Sequence, residues 1–213
     1  MKKGIVILLV VLFSAAHANA QMAGLPIADS AVPLEAEMKR ASAGFVIGDD
    51  FNMYGGRFSY GLADDFSVFG DFGFVDPDRG DTGWGIQIGG LYGIPVVDLP
   101  FDLAARGTLG YANLDQKFRV FDPATGRITT RTFSIDIITS NIGALASTDV
   151  DMMTLYGYLG LNYMRISNGG SDSEFDPAVG GGALFNATEQ ASIYLELMHI
   201  DDLWLGLGFR YAF

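Results

Sequence analysis

The chain has 213 residues, and its 25 acidic against 13 basic side chains give a net charge of −12, which argues against a surface that must neutralise nucleic-acid phosphates. The length fits one domain, and the 49% share of apolar residues argues against intrinsic disorder. The absence of cysteine excludes disulfides, thiolate metal sites and cysteine nucleophiles.

Residues 1–20 have the pattern of a cleaved secretory signal peptide. Two lysines precede an uncharged run rich in Ile, Val and Leu at residues 4–16, and Ala18-Asn19-Ala20 fits the small-x-small cleavage site. The run is shorter than the roughly 20 residues that a membrane-spanning helix needs. The sequence therefore predicts export, with cleavage before Gln21.

Residues 21–40 differ in composition from the rest of the chain and are interpreted as a loose leader. Pro33, followed by the stretch 34–40, predicts one or two helical turns with proline at the first helical position. The alternative is that this segment folds back as a plug inside the domain that follows.

From residue 41 to residue 213 the apolar residues recur with a period of two, which indicates strands. The weakest candidate is 41–48, and nine stronger ones follow it. Ten strands are therefore predicted, with eight as the alternative. The rows that share a face include Tyr54, Phe58, Tyr60 and Leu62; Phe66, Val68, Phe72 and Phe74; Trp84, Ile86, Ile88 and Tyr92; Leu103, Leu109 and Tyr111; Leu155, Leu159, Leu161 and Tyr163; and Ile193, Leu195 and Leu197.

The segment 132–146 breaks this alternation near its middle. Two apolar sets are out of step by one residue: Phe133, Ile135 and Ile137, then Ile138, Ile142 and Ala144. A regular strand cannot place both sets on one face, because a slip of one residue turns every side chain to the other face. A β-bulge at Ile137-Ile138 would restore the phase and is predicted there.

The last strand alternates over eleven residues and ends on an aromatic row of Phe209, Tyr211 and Phe213. This resembles the terminal signature of bacterial outer-membrane β-barrels, in which the last aromatic residue is read by the barrel-assembly machinery. The resemblance implies an all-β, transmembrane, antiparallel up-and-down β-barrel over residues 41–213, in contact with outer-membrane lipid and lipopolysaccharide. It also implies that Phe209, Tyr211 and Phe213 are the assembly signal.

The connections between the strands alternate in length, as in such barrels, which have short periplasmic turns and longer outer loops. Short turns are expected at 63–65, 95–100, 147–151 and 187–190. Longer outer loops are expected at 49–52, 76–82, 115–131, 167–176 and 201–202. An even strand number places the two ends of the barrel on the same side of the membrane. With the last strand ending in the periplasm, residues 21–40 are expected to be a periplasmic leader.

The rows that alternate with the apolar ones would face the lumen of the barrel. They carry the charged residues Arg57, Asp71, Arg106, Asp136, Glu196 and Arg210. A barrel of eight to ten strands is narrow enough for side chains to fill, so buried charges there must be paired. If 63–65 is a three-residue turn in which Leu62 faces Phe66, Arg57 lies opposite Asp71.

The sequence favours a small non-enzymatic outer-membrane barrel with a structural, surface-interaction or narrow-channel role. The alternative is a hydrolase active at the outer rim. An omptin-like protease would use Asp49, Asp50 and His199 with Asp201 or Asp202, because a carboxylate can orient a histidine that activates water. The stretch 164–170 resembles a lipid A deacylase motif, but Arg165 stands at the histidine position. No catalytic residue, cofactor, metal site or nucleic-acid partner is therefore assigned, and any ligand is unknown.

Overall fold

The computed structural model describes residues 27–48, 51–77, 82–96, 98–122, 127–167, 171–200 and 202–213. The signal sequence at 1–20 and the rim carboxylates Asp49, Asp50 and Asp201 lie outside these residues. Within them, there is no helix long and apolar enough to span a membrane.

Ten antiparallel strands form a closed barrel in which each strand pairs with its neighbours in sequence and β1 pairs with β10. The ten-stranded up-and-down barrel predicted from the alternation is therefore confirmed, including the weakest strand. The strands are β1 Lys39–Ile47, β2 Phe51–Ala63, β3 Phe66–Pro77, β4 Gly83–Ile94, β5 Asp102–Asp122, β6 Arg127–Val150, β7 Met153–Ser167, β8 Ser171–Asn186, β9 Ala191–Ile200 and β10 Asp202–Ala212.

The exterior of the barrel is an apolar band with aromatic residues at both ends. Its middle consists of exposed aliphatic residues such as Ile88, Ile142 and Leu159. Toward the outer end, aromatic rings of adjacent strands are in contact, with centroid distances of 5.5 Å for Tyr54–Phe74, 5.6 Å for Trp84–Tyr111 and 4.8 Å for Tyr163–Phe175. The exposed aromatics at the other end are Tyr92, Phe101, Phe185, Phe209, Tyr211 and Phe213. Two aromatic girdles around an apolar band are the exterior of a membrane-spanning barrel.

The predicted bulge at Ile137-Ile138 is wrong. Strand β6 keeps one unbroken register with both β5 and β7 through this point. Ile137 is fully buried inside the barrel, whereas Ile138 is 50% exposed on the exterior. The apolar residues change face here because the outer end of the lumen is itself apolar, so Ile135 and Ile137 belong to the interior.

The outer hairpins also differ from the prediction. The polar segments 115–131 and 167–176 were expected to be loops, but β5 continues to Asp122, β6 begins at Arg127 and β8 begins at Ser171. Regular ladder pairing joins Asp115 to Ser134 and Asp122 to Arg127. Polar composition therefore marks the part of the hairpin beyond the apolar band and not the end of the strands.

The turn between β2 and β3 contains two residues, Asp64 and Asp65, instead of three. The register shifts between Gly61 and Ala63, so that Ala63 and not Leu62 lies opposite Phe66. The predicted register holds above this shift, and Arg57 lies opposite Asp71.

Candidate functional site in the barrel interior

Residues 27–33, part of the stretch expected to be a loose periplasmic leader, lie inside the barrel. Ile27, Ala28, Asp29 and Ala31 are buried. The expected helical turns after Pro33 are absent; a turn at Ala36-Glu37 leads into β1 instead, which begins at Lys39 and not at residue 41. This internal segment, residues 27–33, is called the plug below.

Glu196 of β9 binds the inner end of the plug. Its two carboxylate oxygens accept hydrogen bonds from the backbone N–H groups of Ile27 and Ala28, each at 2.9 Å. Ala28 has a φ of 46°, in the left-handed region, and this turns the two successive N–H groups toward one carboxylate. The Tyr156 hydroxyl donates a third hydrogen bond at 2.6 Å. Glu196 is thus satisfied by neutral donors and not by an arginine.

Three other strands hold the plug. The Arg57 guanidinium of β2 donates to the Ile27 carbonyl at 2.5 Å, and the Ala31 N–H donates to Ser147 of β6 at 2.9 Å. Asp29 accepts a hydrogen bond from Arg40 of β1 at 2.5 Å. The plug is therefore attached to the adjacent strands β1 and β2, to β9, and to β6 farther around the barrel.

The lumen charges pair in part as expected. Arg57 makes a two-pronged ion pair with Asp71, at 2.7 Å from Nε and 2.8 Å from an Nη atom, and Gln87 donates to the same carboxylate at 3.0 Å. Arg210 lies 3.9 Å from Asp29, so its carboxylate comes from the plug and not from the barrel wall.

Arg106 is buried in the lumen but makes no hydrogen bond to a carboxylate among the described residues. It is 1% exposed, and none of its three guanidinium nitrogens has a hydrogen-bond partner among the described residues. Its guanidinium lies 4.9 Å from the centre of the Phe69 ring, and Arg57 lies 4.5 Å from the same ring. The interior pairing expected for Arg106 is therefore not found.

Asp136 was expected in the lumen and lies on the exterior face, which corrects that assignment. The same unbroken register that turns Ile137 inward turns Asp136 outward. Its carboxylate accepts hydrogen bonds from the Tyr111 hydroxyl at 2.7 Å and the Asn113 amide at 2.8 Å. These partners place it at the outer aromatic girdle, where a carboxylate stays hydrated.

Tyrosines fill the lower lumen by packing against glycine. A Cβ atom at Gly44 or Gly208 would lie 2.0 or 2.2 Å from the Tyr194 hydroxyl oxygen. Tyr158 lies over Gly143 and Gly160 in the same way, and Tyr156 over Gly182. These inward glycines therefore make room for the tyrosine rings in the lumen.

An apolar layer fills the outer end of the lumen. Phe51 and Trp204 pack edge to face, with ring centroids 5.1 Å apart, and Trp204 is buried. The members of this outer layer are Val46, Phe51, Met53, Val75, Ala112, Leu114, Ile135, Ile137, Met164 and Trp204. The lumen is thus filled at two levels, by the plug and tyrosines below and by the outer layer above.

Of the rim candidates, only His199 and Asp202 lie within the described residues, and His199 does not face the lumen. His199 is exposed on the exterior face, where it lies opposite Leu203 and Val179. Arg165 is also exposed, while its neighbour Met164 belongs to the outer layer. Within the part of the chain that the structure describes, no three His, Asp or Glu side chains are arranged to hold a metal ion.

The terminal aromatic row lies at the seam where the barrel closes. The backbone of Phe213 exchanges two hydrogen bonds with Lys39, at 2.9 and 3.1 Å, and the Tyr211 and Phe213 rings stack at 6.3 Å. Phe209, Tyr211 and Phe213 all project from the exterior. They are therefore accessible from outside the barrel.

The chain has the architecture of a small outer-membrane β-barrel. No family model matches the sequence, and the search of curated proteins gives no significant match. Among solved structures, it is similar to the N-terminal β-barrel domain of Pseudomonas aeruginosa OprF, with a TM-score of 0.41 and 14% identity over 84% of this chain and 100% of that one. It is also similar to the outer-membrane protease OmpT from Escherichia coli, with a TM-score of 0.46 and 8% identity over 83% of this chain and 94% of that one. A third is the attachment invasion locus protein Ail of Yersinia pestis, with a TM-score of 0.39 and 16% identity over 84% and 99%.

Sequence reasoning missed the outer layer, and it gave the plug only as the alternative to a loose leader. The sequence signal for the outer layer was the change in the phase of the apolar residues at Ile137-Ile138. This change was assigned to a β-bulge and not to an apolar interior. For the plug, the usable signal was a carboxylate at Asp29 within an otherwise apolar stretch, close in sequence to Arg40.

Proposed function

We propose that this protein is a non-enzymatic outer-membrane barrel whose lumen is closed, and that it acts through its structure or its outer surface. The observation that carries the proposal is the double filling of the lumen. The plug is held by side chains of four strands, and the outer layer packs Phe51 against Trp204 above it. A diffusion pore needs a continuous aqueous path, and the occupation of the lumen at two levels supports a closed barrel instead.

The position of His199 favours this proposal over a rim hydrolase. A histidine that activates water must face a substrate groove together with its carboxylate. His199 instead shares the exterior face with Leu203 and Val179, which belong to the apolar band. The lumen side of the same region is occupied by Ile200 and Trp204.

The proposed location is the outer membrane, reached through the signal sequence at residues 1–20. The proposed partners are outer-membrane lipid and lipopolysaccharide along the exterior band, and the barrel-assembly machinery at Phe209, Tyr211 and Phe213. The exposure of these three rings beside the closing seam supports the last assignment.

Single-channel recording in planar bilayers tests the closed lumen. The unaltered protein is expected to give no stable conductance steps. Deleting residues 27–33 alone should also give none, because the outer layer remains. The same deletion combined with Phe51→Ala and Trp204→Ala should open a path and produce steps.

A matched control combines the deletion with Leu203→Ala and Leu205→Ala, which remove apolar side chains from the exterior of the same strand. This control should give no conductance steps. Long-lived conductance steps from the unaltered protein would contradict the proposal.

A further inference from the structure

Arg106 is a buried cation whose neighbours on the inward rows of β5 and β6, Thr108 and Asn141, offer hydrogen-bond donors. It lies on β5, beside Thr108 on the same inward row, and opposite Gly143 of β6. Burying a guanidinium without a counter-charge costs several kcal/mol, so such groups are retained with a partner. Phe69 covers one face of this guanidinium but cannot neutralise the charge.

Other polar atoms near Arg106 are also buried without partners. Thr108 lies directly opposite Asn141, and Asn141 lies directly opposite Asn162, so three polar side chains form one row across β5, β6 and β7. Side chains opposed in this way have Cβ atoms about 4.5–5.5 Å apart. Those without a hydrogen-bond partner among the described residues are the Thr108 and Thr139 hydroxyls, the Asn141 amide nitrogen and both polar atoms of Asn162.

The buried carboxylates of the described lumen are already engaged elsewhere. Asp71 binds Arg57 and Gln87, and Asp29 binds Arg40. Glu196 is occupied by the plug backbone and Tyr156. The Tyr158 hydroxyl hydrogen-bonds Asn141 and also lies beside Arg106, where it is a neutral acceptor and not a counter-charge. None of these three fully buried carboxylates makes a hydrogen bond to Arg106.

We propose that Arg106, Thr108 and Asn141 form an internal site for a small monovalent inorganic anion of about the size of chloride. The guanidinium supplies the charge, and the Thr108 hydroxyl and Asn141 amide supply neutral donors from the adjoining row. The site is enclosed between the plug and the outer layer, so the anion is taken up as the barrel folds.

Crystals of the full mature chain grown in sodium bromide test the site directly, because bromide gives an anomalous signal that water does not. A bromide peak within hydrogen-bond distance of Arg106 is the expected result. Water alone around the guanidinium would overturn the proposal. This measurement needs no variant and does not depend on whether a substitution folds.

Unfolding in urea supplies the second measurement, on protein refolded into detergent with sodium chloride, bromide or gluconate at equal ionic strength. A ligand bound only by the folded state stabilises it by mass action. The urea midpoint should therefore be higher in chloride and bromide than in gluconate. Arg106→Met should abolish the difference, because it removes the charge and keeps an unbranched side chain against Phe69.

The matched control is Arg165→Gln, which removes an exposed arginine from β7. It should keep the full difference between the salts. Equal midpoints in all three salts for the unaltered protein, or the same loss in both variants, would show that the anion effect does not arise at Arg106.

Discussion

At the scale of single residues, the interior is specified by pairs that opposed strands bring together. Arg57 and Asp71 show this most clearly, since their register follows from one turn length and their side chains meet in a two-pronged ion pair. Both are almost fully buried, so water cannot take the place of either partner. The pair also orients Arg57 toward the Ile27 carbonyl and so links the barrel wall to the plug.

Breaking this pair on one side should destabilise the barrel more than removing both partners. Arg57→Met leaves Asp71 buried and charged, which costs about 3–5 kcal/mol, whereas replacement of both partners by apolar residues is close to neutral in other proteins. Urea unfolding in lipid vesicles should show Arg57→Met less stable than the Arg57→Met, Asp71→Leu double variant. Strictly additive losses would mean that the two side chains do not interact.

A glycine that faces a tyrosine ring should tolerate substitution less well than one on the exterior. In Gly208→Ala the new Cβ would lie 2.2 Å from the Tyr194 hydroxyl and 2.3 Å from the Ala43 carbonyl oxygen, so both ring and backbone must move. In Gly70→Ala the nearest atom is 3.9 Å away. We expect Gly208→Ala to lose roughly 1–3 kcal/mol of unfolding free energy, the range for overpacked sites. Gly70→Ala serves as the control and should stay close to the unaltered protein.

At the scale of single residues, the sequence predicted which side chains lie opposite each other where both the strand alternation and the approximate length of the turn could be inferred. It placed Arg57 opposite Asp71 by assuming a turn of three residues. The turn contains two residues, and a register shift beside it leaves Arg57 opposite Asp71 all the same. The prediction failed for Asp136, because Ile135 and Ile137 were assigned to the lipid face, and this placed Asp136 in the lumen. In the paired strands Asp136 faces outward and accepts hydrogen bonds from Tyr111 and Asn113 at the girdle.

At the scale of elements, β6 has an interior that changes from polar to apolar along its length. Toward the periplasmic end its inward residues include Asn141 and Ser147, and toward the outer end they are Ile135 and Ile137. Sequence patterning assumes that one face of a strand has one environment. That assumption holds for most of this barrel and fails where the outer layer replaces the polar lumen.

Truncation on the two faces of β6 should therefore have different effects. Ile137→Ala leaves a cavity in the closed outer layer, and such buried truncations cost about 2–5 kcal/mol. Ile138→Ala faces lipid, which can move into the space that the methyl groups leave. Urea unfolding in vesicles should show the larger loss for Ile137→Ala. Equal losses would support the bulge that the structure lacks.

The plug is an element without regular secondary structure, which explains why periodicity could not place it. Its fixed position comes from hydrogen bonds to Glu196, Arg57, Ser147 and Arg40, which lie far from it in sequence except for the last. A composition-based interpretation therefore assigned it to a loose leader. The consequence is that part of the lumen filling comes from outside the strands.

Thiol labelling can test the position of the plug, because the chain contains no cysteine of its own. Ala31 is 1% exposed and Val32 is 51% exposed. In the folded barrel, Ala31→Cys should react with a maleimide far more slowly than Val32→Cys, and both should react at the same rate in urea. Similar fast labelling of both positions in the folded protein would place this segment outside the lumen.

At the scale of the whole molecule, the outward and inward faces are each continuous around the barrel, and together they specify a membrane protein. The exterior offers an apolar band with girdles at both ends, and the interior contains two clusters of buried apolar side chains with polar and charged residues between the strands' inward rows. These properties follow from period-two alternation around a closed sheet, which is why the fold was predictable from sequence. The identity of what the outer surface contacts does not follow, because it depends on loops whose sequences carry no comparable constraint.

Cell fractionation with gel electrophoresis tests the whole-molecule proposal. The protein is expected in the outer-membrane fraction, and unheated samples should migrate differently from boiled ones, because a closed barrel with its seam bonded between Lys39 and Phe213 resists detergent unfolding. A Phe213 deletion should reduce the amount that reaches the membrane, since it removes two seam hydrogen bonds and the proposed assembly signal. Val32→Ala, which alters an exposed plug residue, should not. Recovery of the unaltered protein as a soluble periplasmic species, with no heat-dependent shift, would contradict both the location and the function inferred from it.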